Sequence, residues 1–213
     1  MGDVGGEVAL SFEGVLQPAQ QGVDGVAELL ELVVGSGERG LDHSEPFDLA
    51  AITAQILQAR ALEAARRGLR VGATIAQAPA DGDPRLAERL VANLVDNALR
   101  HNVPGGEVTV TTGTESGRSF ISVTNTGPKM PPDALARLFQ PFQRLGPDPA
   151  DHGGGLGLGL SIVQAIARAH HADLAARARP DGGLHVRAAF PRGRPRPPAA
   201  RSATQAATTT LSG

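Results

Sequence analysis

The chain of 213 residues contains no cysteine, no tryptophan and no tyrosine, and its aromatic rings other than histidine are six phenylalanines. Without cysteine there is no disulfide framework, no cysteine-type zinc site and no thiol nucleophile. The same absence fits a cytoplasmic setting. Aromatics at 3% disfavour the stacking platforms on which proteins seat nucleic-acid bases. The core must therefore come from Ala, Val, Leu and Ile. Charge of one sign is also lacking: the net value is -2, so no general pull toward nucleic acid or anionic membrane follows. Long hydrophobic runs are missing too. Val26 to Val34 is interrupted by Glu28 and Glu31 and falls far short of the ~20 residues that span a bilayer. The start, Met1 to Gly6, has neither the basic nor the apolar region of a secretory signal, and position 6 lacks the Ser or Thr of a myristoylation pattern.

What the sequence does have is punctuated periodicity. Residues 1–17 read as irregular. Over 18–38, Val23, Val26, Ala27, Leu30, Val33 and Val34 form one helical seam, which needs a second helix as partner. After a break at Gly40–Pro46, Asp48 caps a predicted helix to about Arg67. Leu69–Ala76 reads as a strand, and Asp83-Pro84 starts a helix running to about His101. Strands are expected at Glu107–Thr112 and Ser119–Thr124 around a Ser116-Gly117 turn. A short helix follows at about Asp133–Phe139, then a loop over 140–156, long enough to suggest a lid. A helix at Leu158–His170 precedes a hairpin of Asp173–Arg179 with Leu184–Phe190. From Arg192 the composition cannot support a packed core and predicts a disordered tail. Helices mixed with adjacent hairpins predict an α+β, two-layer sandwich. The domains are then 1–40 (partial dimerisation-type helix and linker), 41–191 (folded domain) and 192–213 (tail).

Three constellations carry chemistry. Asn93 and Asn97 lie four apart, on one side of their helix, with Arg100 and His101 continuing that side. Asn is a mediocre helix former. Either this is a solvated face, or a carboxamide oxygen completes the shell of a Mg²⁺ ion whose other ligands are water and phosphate. The second is Val123 to Lys129, where a strand ends at Asn125 and Gly127 allows close approach. It is a plain turn or a place where an amide oxygen accepts from an exocyclic amine such as adenine's. The third runs from Gly153 to Val163, with Gly155, Leu156, Gly157, Leu158 and Gly159 leading into a helix. It is a flexible linker or a phosphate cradle of backbone N–H groups. It has neither the preceding strand of a dinucleotide fingerprint nor the Lys of a Walker loop.

In this order and spacing the three resemble the catalytic and ATP-binding domain of sensor histidine kinases. Residues 89–102 look like the N box, 123–130 the G1 box, Leu138 to Arg144 the F box and 153–163 the G2 box; Pro46 to Leu49 resembles the domain's usual start and Asp181-Gly-Gly183 its closing hairpin. The resemblance covers about 41–191 and implies the Bergerat ATP-binding fold. By it, Asn97 is the Mg²⁺ ligand, Asn125 meets adenine and Gly127 borders the base. Gly155, Gly157 and Gly159 line the phosphates, with Leu156 and Leu158 between them, and 140–154 form the lid. Arg100, His101 and Arg144 are implied phosphate contacts. Related ATPases such as gyrase, mismatch-repair and heat-shock chaperone proteins carry a Glu at the place of Asn93. Asn cannot take a proton from water, so this position, implied to be catalytic, favours phosphoryl transfer over hydrolysis.

Two departures qualify the resemblance. The usual G1 box, Asp-x-Gly-x-Gly, reads Asn125-Thr-Gly127-Pro-Lys129, which removes a charge and a glycine. The family's phosphoacceptor histidine stands in an H box, and none of His43, His101, His152, His170, His171 and His185 has that context. The resemblance thus implies transfer from ATP to a histidine on another dimerisation domain, with a response regulator downstream and a homodimer possible through 18–38. Autonomous autophosphorylation is not expected. The alternatives are a non-catalytic nucleotide-binding regulatory module and a serine kinase of the anti-sigma-factor type.

Overall fold

In a computed structural model, residues 41, 44–131, 138–139 and 158–191 are described. The expected helix at 18–38, most of that at 133–139, the loop over 140–156 and the tail from 192 lie outside them. The chain runs β1 (Glu45–Asp48), α1 (Leu49–Arg66), β2 (Arg70–Ile75), β3 (Pro79–Gly82), α2 (Pro84–Arg100), β4 (Glu107–Glu115), β5 (Arg118–Asn125), α3 (Gly159–Ala169), β6 (Asp173–Ala178) and β7 (Leu184–Pro191). The architecture is the expected α+β sandwich. A five-stranded sheet in the order β2-β4-β5-β7-β6 carries the helices on one face. β2 pairs with β4 in parallel and the remaining pairs are antiparallel.

Alternation along the strands explains that one-sided cover. Val108 and Val110 of β4, Ile121 and Val123 of β5, and Val186, Ala188 and Phe190 of β7 are all buried under the helices. Each such Val, Ile or Phe side chain contributes roughly 1.5–3 kcal/mol when fully buried. From α2 come Leu90, Val91, Leu94, Val95, Ala98 and Leu99, a stripe wider than one file of side chains four apart. Leu86 itself is only half-buried.

The helix ends obey local chemistry. Asp48 Oδ1 accepts from the N–H of Ala50 and, at 2.9 Å, from that of Ala78, so the cap also ties α1 to the chain entering β3. Asp83 Oδ1 accepts from the N–H of Arg85 and Leu86, with Pro84 opening α2. α1 closes in a Schellman turn: Gly68, at φ 65°, and Leu69 donate to Ala65 and Ala64. α3 ends in the same motif, but His171 occupies the left-handed position at φ 50°. A side chain there costs about 1–2 kcal/mol in local sterics. His171→Gly is accordingly expected to raise stability by about 0.5–1 kcal/mol, read as a higher denaturation midpoint at unchanged slope.

The two short strands β1 and β3 pair with each other in a separate small sheet and were not expected. Each contains a proline, and β3 ends in glycine. Their pairing comes from tertiary context: Ser119 Oγ donates to Pro79 O, and His170 Nε2 accepts from Asp83 N–H at 3.1 Å. His170 is 3% exposed, with Phe47 and Phe190 edge-on around its ring. Its Nδ1 faces Ile166 O at 2.9 Å, and a carbonyl only accepts. The neutral Nδ1–H tautomer therefore serves both contacts.

Burial lowers the His170 pKa, against the raising influence of its backbone partners Ile166 and Asp83. The unfolded chain then binds a proton that the fold refuses. The stabilising contribution is complete above the ordinary histidine value of 6.5 and declines as the pH falls below it toward the depressed folded value. His185 is shifted the same way, chiefly by burial, so the wild-type slope sums both. Urea unfolding between ~pH 8 and ~pH 5 is expected to show a shallower acid loss in His170→Gln than in wild type. Equal slopes would refute the assignment.

Candidate functional site

The alternation that buries Ile121 and Val123 also turns Asn125, at the end of β5, inward under the helices, where it is 4% exposed. Its Nδ2 donates to Thr126 O at 2.6 Å and to His101 O at 3.5 Å. Two carbonyls around the nitrogen fix the amide orientation, so Oδ1 faces the other way as an acceptor. Gly127 is required beside it. A Cβ at that position would stand 2.8 Å from His101 O and 3.2 Å from Gly183 Cα. The turn after β5 is thus wedged between the C-terminal end of α2 and the β6–β7 turn, whose Gly183 N–H donates to Pro128 O at 3.0 Å.

The other end of the site is set by Asn93. Its Nδ2 bonds back to Arg89 O at 2.8 Å, leaving Oδ1 directed at α3, 3.3 Å from where a Gly159 side chain would begin. Gly159 opens α3, whose N-cap residue Leu158 supplies no side-chain cap. The first N–H groups of α3 therefore end beside the polar edge of α2, as an anion would require. Asn97 is half-buried one helical turn further on and ~6 Å along the axis. Arg100 and His101 are exposed at the end of α2. For His101 it is the backbone oxygen that meets Asn125 and Gly127. The structure thus brings Asn93 beside Gly159, which follows the N-cap residue Leu158, at the middle of α2, and Asn125, Gly127 and the backbone of His101 together at its C-terminal end. Arg144, Gly155, Leu156, Gly157 and residues 140–154, where a lid is expected from sequence, lie outside the described residues, as do His43 and His152.

The donor set bears on the metal. Among the described residues no cluster of three or more His, Cys, Asp or Glu could cage an ion. Asp96, next to Asn97 in sequence, is turned away, and its carboxylate holds Arg60 of α1 through two bonds of 2.6 and 3.1 Å. That hydrogen-bonded pairing raises the Arg60 pKa. What remains is neutral amide oxygen, which suits a Mg²⁺ ion brought in by phosphates and ill suits a metal held by protein alone.

One polar pair and the close packing of one glycine turn are not legible in the sequence. Thr126 Oγ1 donates to Asn102 Oδ1 at 2.6 Å and accepts from Glu107 N–H at 2.8 Å; Asn102 Nδ2 donates to Glu107 O. This clip fastens the exit of α2 to the turn that carries Gly127. The Gly182-Gly183 turn, at φ of 98° and 95°, reads from sequence as a hairpin, without its approach to the turn after β5. Glycine at two successive positions next to a strand was the available signal for close backbone approach.

The family described as histidine kinase-, DNA gyrase B-, and HSP90-like ATPase matches residues 82–194. Over 161 residues the chain is 38% identical to Sensor protein CutS of Streptomyces coelicolor, covering 75% of this chain and 39% of that protein. It therefore spans well under half the length of that curated relative. The solved structure of the mycobacterial sensor histidine kinase MprB superposes with a TM-score of 0.60 at 27% identity, covering 71% of this chain and 100% of the other. The catalytic domain of the histidine kinase ThkA shares the fold at a TM-score of 0.59 and 20% identity, covering 70% and 97%. From the inward Asn125, the α2 edge and this likeness together, the chain belongs to the family of histidine kinase-, DNA gyrase B- and HSP90-like ATPases.

Proposed function

We propose that this domain binds ATP and transfers its γ-phosphoryl group to a histidine of a dimerisation domain on another chain, from which a response regulator is served. The observation that carries the proposal is the convergence on α2. One end of its polar edge meets the N-terminus of α3 and the other seats the turn holding Asn125 and Gly127. Adenine would lie against Asn125 Oδ1 and Gly127, and the phosphates along Asn93, Asn97, Arg100 and the first turn of α3. Mg²⁺ held by Asn97 would neutralise phosphate charge. Phosphoryl transfer asks little more of a protein than positioning and charge stabilisation. The bond from the γ-phosphorus to the bridging oxygen breaks, ADP leaves, and the imidazole nitrogen takes the phosphorus. Asn93, unable to act as a base, leaves water unactivated.

The test is calorimetric binding of a non-hydrolysable ATP analogue with and without Mg²⁺, followed by transfer from labelled ATP to an isolated dimerisation domain. Acid-labile label on that domain is the expected outcome. Acid-stable label would instead indicate serine, and Mg²⁺-independent or absent binding would defeat the proposal. One observation favours a second reading, a nucleotide-binding regulatory module: Asn125 is neutral where the family's usual residue is acidic. Binding without any transfer would select it.

A further inference from the structure

The chain carries an amide at position 125, where the family usually has an aspartate, and the surroundings of that side chain suit the amide. Asn125 is 4% exposed. Its Nδ2 stands against two backbone oxygens, Thr126 O at 2.6 Å and His101 O at 3.5 Å. Both oxygens can only accept, so they select the nitrogen and leave Oδ1 as an acceptor pointing away from them. The seat has little room to relax. The Asn125 backbone is paired with Val108 on one flank and Leu184 on the other. A Cβ at Gly127 would already stand 3.3 Å from Nδ2. A carboxylate fits this seat badly. It has the shape of the amide but no N–H to give. One of its oxygens would face the two carbonyl oxygens with no proton between them, in a place where burial disfavours charge.

We infer that Asn125 is a specificity-determining residue that works only as an amide: its locked Oδ1 selects a purine with the exocyclic amine of adenine over one with the exocyclic carbonyl of hypoxanthine, and an aspartate cannot replace it. The inference rests on the nucleotide binding proposed above. The adenine amine donates to Oδ1, whereas the hypoxanthine carbonyl sets oxygen against oxygen. An amide free in solvent turns over and serves either base. Here the turned amide would aim Oδ1 at Thr126 O and His101 O, so that freedom is gone. The charge missing relative to the family is thus matched by two backbone acceptors that an amide satisfies and a carboxylate does not.

The test is calorimetric titration of the full chain, with Mg²⁺, against non-hydrolysable triphosphate analogues of adenosine, purine riboside (hydrogen in place of either group) and inosine. Affinity is expected to fall in that order, with the inosine analogue weaker than the adenosine one by roughly 10- to 100-fold. Equal affinities would overturn the inference while leaving nucleotide binding in place. Tighter binding of the inosine analogue would overturn it by showing that Nδ2 faces the base. Binding of none of the three would defeat the nucleotide reading and this inference with it. Asn125→Asp, titrated below its melting temperature, is expected to bind the adenosine analogue at least about tenfold more weakly than wild type. Affinity equal to or above wild type would overturn the requirement for an amide. If the variant does not fold, the wild-type series still decides.

Discussion

Gly183→Ala is expected to lower stability by about 2–4 kcal/mol and, with it, to weaken nucleotide binding. Two effects add. The residue sits at φ 95°, a region that a side chain enters only with strain. A Cβ there would also drive into Asn125 O and the Thr126 carbonyl carbon. These are backbone atoms of the very turn that orients Asn125 and seats Gly127, and no side chain can swing aside to relieve them. The strand β5 is held on both flanks by β4 and β7, so relief must come from displacing the turn after it. Thermal unfolding should show a midpoint lower by roughly 5–15 °C. A calorimetric titration at a temperature where the variant is folded should show weaker binding of an ATP analogue. A variant with unchanged melting and unchanged affinity would mean that the turn is more compliant than its geometry implies. Gly117→Ala, in open space at the β4–β5 turn with φ 75°, serves as the control, since it carries the strain of a positive φ without the collision.

Asn97→Ala separates binding from folding. Alanine is the better helix former by several tenths of a kcal/mol, and Asn97 is half-buried at the edge of α2 outside its apolar stripe. The melting temperature should hold or rise slightly. Binding should fall. An amide lost from a charged ligand set costs about 1.5–3 kcal/mol, which corresponds to roughly 10- to 150-fold in affinity. On the proposed reading the loss should be confined to titrations containing Mg²⁺. A loss of equal size with and without the ion would place Asn97 against the nucleotide itself. Unchanged affinity would remove it from the site.

Much of the scaffold could be read from local signals, because local chemistry builds it. Asp48 and the Asp83-Pro84 pair announced two helix starts, and both carboxylates cap as their spacing implies. The period-2 pattern of β5 not only marks a strand; it also determines that Asn125 shares the buried face of Ile121 and Val123. What stayed hidden is non-local. β1 and β3 carry proline and are too short to show a pattern; they exist because each supplies the other's partner. The parallel pairing of β2 with β4 has no signature in either segment. His170 looked like one of several histidines without context, yet it joins the start of α2 to the end of α3 across 87 positions of sequence. The Asn102–Thr126 clip was obscured for the same reason. Neither residue has a meaning until the chain has brought the two together.

The order of strands has a consequence for how this protein can vary. β5 and β7 are hydrogen-bonded neighbours over their full length, Arg118–Asn125 against Leu184–Pro191, although residues 126–183 intervene. The register of that pairing is set by the facing apolar pairs such as Val123 with Val186 and not by the connection. The entropy of closing a loop grows only with the logarithm of its length, about 0.6 kcal/mol for each doubling. A change in the length of the connection should therefore leave the register of that pairing in place, whereas Leu138 and Phe139 within it pack against the core and are not free to change. Evolution can thus vary the length between the two strands to suit a ligand or a partner while the facing pairs of the sheet hold the scaffold in register.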